Sequence, residues 1–87
     1  MRTKLYCVRD TLAGIYGPPA MSDNDATMIR DFGDIVRKGN NQISEHPSDF
    51  VLVCIGEYDR ETGALIPCDV RVLAHATDFV VVASPKA

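Results

Sequence analysis

The amino-acid sequence predicts an α+β fold, in which one amphipathic helix packs on a mainly antiparallel sheet of about four strands. Three patterns predict this class. Residues 23–38 repeat apolar side chains at helical spacing. Several shorter stretches are rich in strand-forming residues, and two of them flank a tight acidic turn at residues 59–63.

Length and composition indicate one small domain spanning residues 1–87, with an apolar content of 46% that is ordinary for a globular protein. No apolar run approaches the roughly 18 residues that a membrane span needs. The N-terminus lacks the long apolar stretch of a signal peptide. We therefore expect a cytosolic protein with no membrane partner.

The first half of the chain predicts a strand, a loop and a helix. Residues 3–9 alternate weakly and favour a strand, and residues 10–20 form a Gly- and Pro-rich loop with a short extended piece at Ile15-Tyr16. The helix spans residues 23–38, capped by Ser22 or Asn24 and stopped at Gly39. Gly33 inside it costs up to about 1 kcal/mol relative to alanine, and lets the helix lie close to a neighbour. The apolar stripe of this helix comprises Met28, Ile29, Phe32, Ile35 and Val36.

The second half contains the strongest strand signal, at residues 50–58, after a polar loop over residues 40–49 in which Ile43 reaches the core. Both faces of this strand are apolar, which indicates a central strand covered on both sides. One helix covers a single face, so we expect a homodimer or higher homo-oligomer to cover the other. The two faces carry Phe50, Leu52 and Cys54 on one side and Val51, Val53 and Ile55 on the other.

After the hairpin loop at residues 59–63, a short strand returns over residues 64–66. Pro67 cannot donate a ladder hydrogen bond, so this strand is short or lies at an edge. Residues 70–74 and 79–83 are strand-like, although residues 70–74 also fit a helical turn. Residues 84–87 form a tail.

Candidate catalytic and metal-binding residues are sparse. Cys7, Cys54 and Cys68 are odd in number and widely spaced, so we expect reduced thiols and no zinc site. His46 and His75 lack metal-ligand spacing. A thiol in the middle of an apolar strand is inert, so these residues predict no enzyme, no metal and no cofactor.

The net charge of −3 argues against a general nucleic-acid coat. The basic residues nevertheless cluster near the first strand and the end of the helix, and tyrosines interleave with them. Single-strand binders use such cations for phosphates and such rings for base stacking. The candidate DNA-binding set is Arg2, Lys4, Tyr6, Arg9, Tyr16, Arg37 and Lys38.

The chain resembles the small nonstructural protein of gokushovirus-type phages, which are Microviridae with circular single-stranded DNA genomes. The ordered motifs that carry the resemblance cover about residues 4–66, whereas the part from Cys68 onwards matches poorly. They are Lys4-Leu5-Tyr6-Cys7-Val8-Arg9-Asp10, Tyr16-Gly17-Pro18-Pro19, Asn24-Asp25-Ala26, Arg30-Asp31-Phe32, His46-Pro47-Ser48-Asp49-Phe50, Ile55-Gly56-Glu57-Tyr58-Asp59 and Glu61-Thr62-Gly63.

The resemblance implies a replication-stage phage protein of the host bacterial cytoplasm that is absent from the virion. It implies a role in DNA binding, or in the switch from duplex replication to single-strand synthesis and packaging. Two functions stay open. The first is a non-enzymatic, DNA-associated accessory protein that contacts single-stranded DNA. The alternative is an adaptor that docks a host or phage replication protein without touching DNA.

Overall fold

The computed structural model describes residues 1–80 and gives them an α+β fold. The elements run in the order β1 (Arg2–Asp10), β2 (Ile15–Tyr16), β3 (Ala20–Ser22), α1 (Asp25–Lys38), α2 (Gln42–Glu45), β4 (Phe50–Asp59) and β5 (Leu65–His75). Short 3₁₀ turns cover Pro47–Asp49 and Ala76–Phe79. The strand predicted over residues 79–83 does not begin at Phe79, which belongs to the second 3₁₀ turn. Residues 81–83 of that prediction, and the tail over residues 84–87, lie outside the described residues.

All strand pairs of the described sheet are antiparallel, as predicted, and the strands number five rather than four. β1 lies between β4 and the two short strands β2 and β3. β2 is the extended piece predicted within the loop over residues 10–20, and β3 begins at the last residue of that loop. β5 is a single strand that unites the two strand predictions at residues 64–66 and 70–74. Pro67 is tolerated because β5 is an edge strand with an irregular register.

The main helix begins at Asp25, two residues later than predicted, because Asn24 caps it. The Asn24 Oδ1 atom accepts a 2.8 Å hydrogen bond from the Thr27 amide. Gly39 ends the helix with φ of 79°, in the left-handed region that favours glycine.

The core on the helix face of the sheet is built around Tyr6, Phe32, Val36 and Leu52. Ile43 from α2 packs against it, as expected. Ile35 does not belong to this core, because it is 42% exposed on the outer side of α1. The predicted close approach of Gly33 is confirmed: a Cβ atom there would lie 2.7 Å from Cδ1 of Phe79.

The opposite side of the sheet, which we call the second face, has its own small core of Cys7, Val51 and Val53. Ile55 packs against these three residues. The apolar alternation predicted for the central strand is therefore confirmed on both faces. The helices of the described residues contribute to the helix-face core, and none packs into the second-face core.

Candidate nucleic-acid interface

Tyr6 does not lie on a surface where it could meet a base. Its side chain is fully buried at the centre of the helix-face core, where it packs with Phe32 and Val36 of α1. Its hydroxyl donates a 2.6 Å hydrogen bond to Oδ1 of Asp25. The expectation that Tyr6 stacks on bases is therefore wrong, and the residue is a structural link between β1 and α1.

Asp25 also binds two of the nearby cations. Lys4 Nζ lies 3.4 Å from Asp25 Oδ1, and an Arg71 guanidinium nitrogen lies 3.3 Å from Asp25 Oδ2. Hydrogen bonds from Tyr6, Arg71 and Lys4 lower the pKa of the Asp25 carboxyl. Burial and the Asp25 hydrogen bond in turn raise the pKa of the Tyr6 hydroxyl. Lys4 is thus held by a carboxylate and is a weaker phosphate contact than its sequence position suggests.

Two more of the predicted cations have acidic partners. Arg2 lies 3.2 Å from Glu57 across the strand pair, and Arg37 lies 2.9 Å from Asp34 one helical turn earlier. The Arg37 guanidinium also covers the Phe79 ring at 5.6 Å. Lys38 is exposed beside it and forms no ion pair with the described residues.

Arg9 and Tyr16 form the one cation–ring pair of the predicted set. Register places them directly opposite each other on β1 and β2, and the Arg9 guanidinium lies 5.2 Å from the centre of the Tyr16 ring. The ring is 47% exposed. The Arg9 Nε atom is buried and has no hydrogen-bond acceptor among the described residues. Arg9 also has no carboxylate partner within residues 1–80.

The surroundings of this pair include a residue that sequence reasoning did not select. Arg9 lies opposite Val51 on β4, and Val51 lies opposite His75 on β5. Directly opposed residues of an antiparallel pair share a face, so Arg9, Tyr16 and His75 all belong to the second face. No sequence signal links His75 to Arg9, because their position on one face, on either side of Val51, depends on the order of the strands.

The candidate cations do not converge on one surface. Lys4 and Arg9 are about 17 Å apart along β1, at about 3.3 Å per residue, and they project to opposite faces of the sheet. Arg37 and Lys38 lie at the C-terminal end of α1, on the helix side. The structure therefore divides the predicted site into three small basic groups, of which the Arg9–Tyr16 pair alone combines a cation with an exposed ring.

An apolar hollow lies further along the sheet, towards the β4–β5 turn. Its volume is about 320 Å³ and its walls are almost entirely apolar. Leu65, at its rim, is 71% exposed. The lining residues are Leu5, Ile55, Gly56, Leu65, Ile66 and Pro67.

The thiols and carboxylates of the described residues do not assemble a metal centre, because no group of three potential ligands comes together among them. Cys54 is buried and Cys68 lies beside it, with the Cys68 Sγ atom 3.8 Å from the Cys54 carbonyl oxygen. Burial and the neighbouring Cys54 thiol raise the pKa of Cys68, and burial raises that of Cys7. A raised pKa lowers the thiolate fraction and therefore the reactivity. Among the described helices, none has the length and apolarity needed to span a membrane.

Comparison with known families identifies the chain as a phage protein. A family model described as Phage ORF5 protein matches residues 3–79, which is most of the chain. The chain therefore belongs to the Phage ORF5 protein family. No curated protein and no solved structure matches it.

Proposed function

We propose that this chain is a nonstructural accessory protein of gokushovirus-type Microviridae that associates with single-stranded DNA. It acts in genome replication or in the switch to single-strand synthesis and packaging, in the cytoplasm of the bacterial host. Membership of the Phage ORF5 family supports the phage setting. The ordered motifs over residues 4–66 support the finer assignment.

The observation that carries the DNA contact is the Arg9–Tyr16 pair. A guanidinium without a carboxylate partner provides N–H donors for a phosphate oxygen. A half-exposed tyrosine ring beside it provides a stacking surface for a base, and such stacking is tolerant of sequence. Because Arg2, Lys4 and Arg37 are engaged by carboxylates, few cations are available for phosphates. The interaction is therefore weak, with a shallow dependence on salt.

Fluorescence anisotropy with labelled single-stranded and duplex DNA, over a series of salt concentrations, tests this function. Arg9→Ala should lower affinity and reduce the slope of log affinity against log salt by about 0.7, the value for one single-strand phosphate. Tyr16→Ala should weaken single-strand binding by about tenfold, through loss of one stacked base. Arg2→Ala is the matched control, because Glu57 already holds that guanidinium. Absence of salt-sensitive binding by the wild-type protein at low ionic strength contradicts the DNA function.

The apolar hollow near the β4–β5 turn favours the second candidate, an adaptor that docks a phage or host replication protein. A protein partner would insert an aliphatic or aromatic side chain against Leu65 and its neighbours. Titration calorimetry with a purified replication initiator tests it. Leu65→Asp should abolish binding, whereas Leu12→Asp should not, because Leu12 is a similarly exposed leucine that does not line the hollow. Equal effects of the two substitutions contradict a specific docking site.

A further inference from the structure

β5 has one strand neighbour among the described residues, β4. Its outer edge faces away from the sheet, and most of the strand is exposed. Val70 and Val72 are 50% and 54% exposed. An edge strand presents a row of N–H and C=O groups that another strand can pair with.

The middle of β5 contains residues that do not pair with β4. Register pairs Cys54 with Arg71 and Gly56 with Pro67, so that four steps along β5 correspond to two steps along β4. Residues 68–70 stand against Ile55 alone, so β5 has two extra residues here, and none of the three has a Cα partner on β4. The extra residues of such a bulge are left out of the ladder with the neighbouring strand.

The charge pattern of this stretch is self-complementary. Asp69 and Arg71 flank Val70 symmetrically. If two β5 strands pair antiparallel with Val70 opposite Val70, Asp69 of each copy lies opposite Arg71 of the other. Registers centred on Asp69 or on Arg71 would instead place like charges opposite each other, which is destabilising. Of these three registers, the charges favour the one centred on Val70.

Both charged residues are available for this pairing. Asp69 makes no ion pair or side-chain hydrogen bond with the rest of the described chain. Arg71 uses one guanidinium nitrogen on Asp25 and remains half exposed. An arginine has five N–H donors, so it can bind a second carboxylate at the same time.

We propose that two copies of this chain associate through antiparallel pairing of their β5 strands about a two-fold axis at Val70. The contact is short, because Pro67 lacks an N–H on one side of the centre, and the Val70 and Val72 side chains add apolar burial. The second copy continues the sheet across the two-fold axis. This inference concerns self-association and is independent of the proposed DNA contact.

Light scattering on the purified protein gives the first measurement, with an expected mass twice the 9.5 kDa of the chain. Val70→Cys in a Cys68→Ser background then tests the register. Oxidised glutathione should convert this variant to a disulfide-linked dimer, because the two introduced thiols lie directly across the axis. Thr77→Cys in the same background is the matched control and should stay mostly monomeric on a non-reducing gel, since Thr77 is exposed outside β5. A monomer mass, or equal cross-linking of the two variants, overturns the proposal.

A charge exchange provides an independent test. Asp69→Arg should raise the dimer dissociation constant by about fivefold to tenfold, since it places like charges opposite each other at two symmetric positions. Combining Asp69→Arg with Arg71→Asp puts opposite charges across the axis again. The double variant should therefore have a lower dimer dissociation constant than Arg71→Asp alone. Thermal melting confirms that each variant is folded. If Asp69→Arg is folded and dimerises as tightly as wild type, the proposed register is wrong.

Discussion

The Tyr6 hydroxyl and the Asp25 carboxylate are joined by a 2.6 Å hydrogen bond that connects the interior strand β1 to the first turn of α1. The tyrosine is fully buried, whereas the Asp25 side chain is about one-third exposed and also binds Lys4 and Arg71. One carboxylate thus ties β1 and β5 to the N-terminal end of the helix. The stability of the fold should be sensitive to both members of this pair.

Tyr6→Phe should lower the free energy of unfolding by about 1.5–3 kcal/mol, because a hydrogen bond to a charged group is lost while the ring packing is kept. Urea denaturation followed by circular dichroism measures this value. Tyr58→Phe is the control, since the Tyr58 hydroxyl makes no hydrogen bond to the described residues. A Tyr6→Phe variant as stable as wild type would show that the hydroxyl is satisfied equally well by water.

The pH dependence of stability should carry the signature of Asp25. The pKa of this carboxyl in the folded state is below its ordinary value of 3.8. Its stabilising contribution is therefore fully present above that value, and is lost as the pH falls through the lowered folded-state pKa. Asp25→Asn should be less stable than wild type at pH 7, and the difference should shrink below about pH 4. Denaturation curves at several pH values measure it, and a difference independent of pH contradicts this assignment.

Phe32→Ala should cost roughly 3–5 kcal/mol, the usual range for removing a buried phenylalanine. Phe32 is 2% exposed in the helix-face core, and its ring meets that of Phe79 edge-on at 6.0 Å. Ile35→Ala lies on the same helix at an exposed position and should cost much less. Thermal melting compares the two, and similar losses would mean that the buried side of α1 has been misassigned.

Gly33→Ala sets two effects of opposite sign against each other. Alanine improves helix propensity by up to about 1 kcal/mol. Its methyl group would lie 2.7 Å from the Phe79 ring, and overpacking of this kind costs about 1–3 kcal/mol. We expect a net loss of stability in a melting experiment. A gain in stability would contradict this expectation and would indicate that the Phe79 ring moves aside.

Much of the fold could be predicted from local patterns. The spacing of Met28, Phe32 and Val36 indicates the helix, and the alternation over residues 50–58 indicates the central strand, because both signals depend on neighbouring residues. The length of β5 could not be predicted from Pro67. Proline ends a strand only where its missing N–H is needed, and that depends on the position of the strand in the sheet.

The candidate site was harder to predict, because charge pairing is a property of the folded chain. Lys4 and Asp25 are 21 residues apart, and Arg2 and Glu57 are 55 apart. A count of nearby charges along the sequence misses both pairs and overestimates the available basic surface. Tyr16 is exposed on the short edge strand β2, whereas Tyr6 is buried because its side chain lies on the face of the sheet that α1 covers.

The place of β1 within the sheet has a consequence for how the chain folds. Its register with β4 runs from Asp10 opposite Phe50 to Arg2 opposite Asp59, so even the nearest pair of these interior strands closes a loop of about forty residues. Contacts between such distant parts of a chain slow folding, because the entropy of loop closure must be lost before the contacts stabilise anything. During synthesis, β1 emerges first but has no long partner until the ribosome has passed residue 59. Until then β1 can pair only with the short strands β2 and β3, and its other edge stays unpaired. Folding is therefore completed late in translation.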